Sequence, residues 1–226
     1  FTLAEVLITL GIIGVVAAMT MPSVIAKYQD KVLITATKKA YSTIQNALVS
    51  AQADGGLIGD NTYLFDVTQS STDLAKRFQK YFNGAILCEN KTSKECEKYY
   101  DIRYMYATKQ VLNGSTSGHT LNYPKLILPD GMILSMLQNP SCSNVWYSCE
   151  RDDKGNCKKD ADGNDIMKPG SDDACGYIYF DVNGLKGPNQ YGRDSYCLKI
   201  REKDATVSLP YYMGAQSLKN ILSGTE

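Results

Sequence analysis

One carboxylate, Glu5, sits inside an otherwise apolar N-terminal run, FTLAEVLITLGIIGVVAAMTMP. From Phe1 to Met21 there is no Lys, Arg, Asp, Asn or Gln. About twenty such residues span a bilayer as a helix, and an ionisable side chain among them marks a functional site with a partner. The chemistry available to Glu5 is charge pairing. The nearest basic side chain, Lys27, lies about six helical turns away, so the closest cation is the Phe1 amine. Glu5 pairs either with its own chain's terminus, where the helix macrodipole also favours an anion, or with the terminus of a neighbouring chain, where the pair sets the register of an assembly. A plain membrane anchor that tolerates one acid is the competing reading.

Seven cysteines, at 88, 96, 142, 149, 157, 175 and 197, all fall in the C-terminal part. No C-x-x-C pair occurs and the single His is His119, which argues against zinc. Disulfides in an extracytoplasmic domain fit better. Cys88 with Cys96 is the natural local bridge. Cys175 and Cys197 flank two predicted late strands and could meet across them. The odd count leaves one thiol free, buried or paired between chains; other pairings stay open.

Further catalytic chemistry is sparse. One His and no nucleophile context speak against an acyl-transfer triad, and so against an enzyme. Asp160, Asp162 and Asn164 begin like a calcium loop, but Asp165 replaces the glycine of the sixth place and Ser171 the acid of the twelfth. Asp181, Asn183 and Asp194 gather around the loop NGLKGPNQYGRD and are weak calcium candidates; turn formation at Asn183-Gly184 explains them adequately. No cofactor is expected. The formal net charge of zero, from 24 basic and 24 acidic residues, gives no reason for an obligatory nucleic-acid partner.

These residues need a scaffold. Residues 1–24 read as an apolar helix and residues 25–56 as its amphipathic continuation, with Tyr28, Val32, Ala36, Ala40, Ile44, Leu48 and Ala51 near helical spacing. Asp54-Gly55-Gly56 supplies a stop. Gly11, Gly14 and Pro22 make the stretch before Pro22 the softest part of this stalk. Residues 57–226 suffice for one domain with its own core. A helix near Leu74–Phe82 capped by Ser71 or Thr72, a strand IRYMYA, a hairpin PKLILPDGMILSML, strands YIYFDV and YCLKIR, an edge strand within Val207–Tyr212 and a brief C-terminal helix are expected. The polar stretch from Asn139 to Asp173 reads as a covalently tied surface excursion. Sixteen tyrosines suit strand and core filling. The fold class is α+β: a long N-terminal helix packed on an antiparallel sheet, with disulfide-tied loops.

The N-terminal run resembles the mature start of type IV pilins and of the pseudopilins of type II secretion systems. Phe1, Thr2-Leu3, Glu5, Leu10, Gly11, Gly14 and Pro22 carry the likeness. The resemblance implies a leader cut before Phe1 by a prepilin peptidase that also methylates Phe1, with Glu5 needed for entry into a filament. It implies a single-pass inner-membrane subunit that the assembly machinery joins to identical subunits in a helical homopolymer on the cell surface. In such a filament the Gly14–Pro22 region is expected to lose helix, whereas a free chain keeps a kinked continuous one. Some pseudopilins hold calcium in a late loop, though their motif is not reproduced here. A surface pilin is the leading expectation, a pseudopilin of a periplasmic fibre the alternative.

Overall fold

The computed structural model describes residues 2–107, 118–152, 156–206 and 215–225. Phe1 and the strand expected within Val207–Tyr212 lie outside the described residues.

Helix α1 (Leu3–Asp54) is unbroken through Pro22. At about 1.5 Å per residue its 52 residues reach some 78 Å. Thr37, Ala40, Ile44, Ala47, Leu48 and Ala51 are buried along its second half, close to the expected stripe. Tyr28 and Val32 depart from it: they precede the head's packed core and stay exposed. Gly55 ends the helix, its N–H reaching the Ala51 carbonyl at 3.0 Å, and Gly56 follows at φ +66°.

The head places α2 (Ser71–Gln79), β1 (Ile86–Cys88), α3 (Lys94–Tyr100), β2 (Arg103–Tyr104), β3 (His119–Thr120), β4 (Lys125–Ile127), β5 (Ile133–Gln138), β6 (Asn144–Cys149), β7 (Met167–Asp172), β8 (Gly176–Asp181), β9 (Ser195–Ile200), β10 (Ala205–Thr206) and α4 (Ala215–Ser223) in that order. Six strands form an antiparallel sheet in the order β1-β4-β5-β8-β9-β10. The architecture is therefore α+β, a long apolar-then-amphipathic helix on an antiparallel sheet. The Pro129-Asp130-Gly131 turn joins β4 to β5 as its sequence demands, with Gly131 at φ +90°. The expected strand IRYMYA shrinks to Arg103–Tyr104, paired with β3 apart from the main sheet. Helix α2 starts one residue early: Ser70 caps it in a reciprocal capping box with Asp73.

Period-two alternation sends Leu134, Met136, Ile178, Phe180, Tyr196 and Leu198 into one core with α1, α2 and α4. The opposite face is buried too. There Cys88, Ile127 and Ile133 meet Tyr100, Tyr104, Leu121 and Tyr191 from the crossing loops. Several of the expected strand-filling tyrosines thus build a second core. The 139–173 excursion holds the hairpin β6–β7, which is not part of the main sheet.

Candidate functional site

Glu5 lies in the first turn of α1. Its Oε2 accepts the Thr2 backbone N–H at 2.8 Å, while the Thr2 hydroxyl accepts the Glu5 N–H at 3.3 Å. The carboxylate thus completes a capping box, satisfying amides that a helix start otherwise leaves without partners. The signal is legible in the chain as Thr2-x-x-Glu5, and reading Glu5 as an ion-pairing group alone misses it. Gly11 and Gly14 have open space where a Cβ would stand. In this single chain the helix persists across both glycines and Pro22. One span of α1 is long and apolar enough to cross a membrane, and none of it is buried against the head.

The cysteines close three bridges: Cys88–Cys96, Cys142–Cys175 and Cys149–Cys157. The candidate meeting of Cys175 with Cys197 does not occur. Cys175 belongs to the core under α1, whereas Cys197 alternates with Tyr196 and Leu198 and faces the other side of the sheet. The Cys175 amide also bonds the Ile200 carbonyl, three residues and about 10 Å along β9 from Cys197. Cys142 approaches instead, with 4.0 Å between the Cα atoms, and ties the base of the excursion. Lys199 reinforces that base by bridging Asp172 at 2.6 Å and Asp173. Cys197 is buried as a thiol, and burial pushes its pKa up.

The loop from Val182 to Arg193 hangs between two buried carboxylates. Asp181 Oδ1 accepts the Asn183 and Gly184 N–H groups at 3.0 and 2.8 Å. Asp194 accepts those of Gln190 and Asn189 at 2.7 and 2.8 Å. Burial, with Asp194 alongside, raises the Asp181 pKa to about 7; burial raises that of Asp194 as well. Three of the four carboxylate oxygens are thus engaged by amides. Asn183 Oδ1, a buried oxygen without a hydrogen-bond partner, adds one neutral ligand. Calcium takes six to eight oxygens, so this donor set does not fit it. The loop also grips the stalk: Arg193 donates to Asp30 of α1 at 3.0 Å. The acidic turn at Asp160 likewise spends its carboxylate on backbone, accepting the Asp162 and Asn164 N–H groups.

Two further polar clusters are visible only in three dimensions. Lys125 is fully buried beneath the Tyr100 ring and donates to the Leu121 carbonyl at 2.7 Å and the Ser135 hydroxyl at 3.1 Å. Desolvation lowers its pKa to about 7. A Ser beside a Lys is a nucleophile pairing in other settings, but here both are sealed inside the sheet. His119 lies between the Tyr106 and Tyr191 hydroxyls, at 3.2 and 3.3 Å, and burial lowers its pKa.

No protein-family model matches this chain, and no curated protein or solved structure does.

Proposed function

We propose that this chain is a structural subunit of a type IV pilus-like filament, with a pilin-like head on a polymerising helix. One observation carries the reading: the first half of α1 leaves the head apolar on all sides, and its membrane-length span has no burial within the chain. Such a surface must be covered by lipid or by other apolar helices. The Phe1–Pro22 motif supports the second cover. In this reading the inner membrane holds the helix before assembly, a prepilin peptidase trims and methylates Phe1, and the assembly machinery moves the helix into a bundle of identical subunits. Glu5 then exchanges its cap on Thr2 for the Phe1 amine of a neighbouring subunit, and the segment around Gly14 and Pro22 melts to let the bundle pack. The disulfide-tied head faces outward on an extracellular fibre and carries no catalysis, cofactor or nucleic-acid requirement.

Electron microscopy of sheared cell-surface material tests this. Fibres labelled by antibody against the head are expected. Fibres confined to the periplasm would instead assign the chain to a type II secretion pseudopilus, and an unassembled chain in the membrane would overturn both.

A further inference from the structure

A groove of about 650 Å³ separates α1 from the Val182–Arg193 loop. Tyr28, Val32 and Leu33 line its helix side; Lys186, Pro188 and Arg193 line the other. We propose that this groove seats the headgroup of an anionic phospholipid while the subunit resides in the membrane. The inference rests on the membrane-resident stage of the proposed function, not on filament assembly.

Depth is the first argument. Val6 to Ile25 contains no ionisable side chain, and these twenty residues measure about 30 Å as a helix, the thickness of the hydrocarbon core. Tyr28 stands three residues further, about 5 Å on, within the polar headgroup layer. It is 69% exposed although aromatic, as rings at a membrane interface are. Val24 and Ile25, also exposed, continue the helix surface downward as a track for acyl chains.

Charge is the second. Asp30, the acid beside the groove, is paired with Arg193 at 3.0 Å. Lys27, Lys31 and Lys186 make no ion pair among the described residues and are exposed. On a helix Lys31 flanks the Tyr28–Val32 edge of the groove, and Lys186 stands on the wall opposite. Cations on both rims of an apolar slot match a phosphate carried on an apolar tail. A free phosphate would use the cations and leave the apolar walls without an occupant.

The test uses the full chain. Alkaline carbonate extraction first establishes that wild type and variants stay in the membrane; release would overturn both this proposal and the membrane stage beneath it. The protein is then purified in dodecyl maltoside and offered equal phosphatidylglycerol and phosphatidylcholine under native mass spectrometry. A retained preference of fivefold or more for phosphatidylglycerol is expected, falling to near parity in the Lys31→Ala, Lys186→Ala double variant. Parity in the wild type, or an unchanged preference in the variant, overturns the groove while leaving filament assembly untouched. Inorganic phosphate alone, bound in equilibrium dialysis as tightly as the lipid, would likewise overturn a lipid seat.

Discussion

Thr2 and Glu5 cap one another across the first turn of α1, each accepting the other's backbone N–H. The acid that the membrane environment makes costly is therefore already engaged by hydrogen bonds in the single chain. Loss of such a cap costs roughly 1 kcal/mol of helix stability.

That pairing separates two roles of Glu5. Glu5→Gln keeps an acceptor for the Thr2 amide but removes the charge; Glu5→Ala removes both. Both variants are expected to remain in the membrane and to lower sheared-fibre yield at least tenfold. Restoration of fibres by Gln to the wild-type level would show that capping suffices and that no intersubunit ion pair is needed.

The three bridges leave one thiol. Titration with a thiol reagent, without reductant, is expected to find none in the native protein and one per chain after denaturation, that of Cys197. Two or more in the denatured protein would contradict the pairing.

Bridges of different reach should differ in worth. Cys142–Cys175 closes a separation of 33 residues and anchors the excursion to the core; replacing both with Ser is expected to cost about 3–4 kcal/mol of head stability in urea unfolding. Cys149–Cys157 constrains only the excursion itself, and its removal should leave the main transition nearly unmoved while sharpening protease cleavage there.

Two buried groups give opposite pH limbs. The Asp181 pKa is raised to about 7 by burial, with Asp194 adding to it, so the folded state holds a proton that the unfolded state releases above about 4. Its contribution is full at acid pH and is lost as pH climbs through 7. The Lys125 pKa is lowered to about 7 by burial, so above 7 the unfolded state binds the extra proton and stability rises toward pH 10. Urea midpoints of the detergent-solubilised chain at pH 4.5, 7 and 9.5 are expected to pass through a minimum near neutrality. Asp181→Asn should flatten the acid limb and Lys125→Met the alkaline limb, each limb being on the order of a few kcal/mol. A maximum near pH 7 would refute these assignments.

Gly176 opens β8 against the Phe65 ring. A Cβ there would lie 2.3 Å from the Leu137 carbonyl oxygen and 2.7 Å from Phe65 Cδ1, so Gly176→Ala is expected to destabilise the head by about 2–3 kcal/mol, read as a lower urea midpoint.

Elements set by local chemistry could be read directly. The Leu126–Leu137 hairpin follows from its Pro-Asp-Gly turn, and the bridge Cys88–Cys96 from a separation of eight residues. The helix stripe from Ala40 to Ala51 follows from its period. The late loop is legible through Asp181 and Asp194, whereas the backbone amides that their oxygens accept are visible only in the folded chain. Of IRYMYA only Arg103–Tyr104 forms a strand, since aromatic alternation suits a core wall as well as a ladder.

The sequence by itself determined the apolar stalk, the glycine stop, the Pro-Asp-Gly hairpin and the α+β class, since these depend on residues within a turn or two of one another. The tertiary structure decided that Cys142 rather than Cys197 reaches Cys175, that both sheet faces are covered, and that Lys125 is buried. Those outcomes depend on strand register and on which loop crosses which face, and a shift of one residue in register exchanges the two sides of a strand.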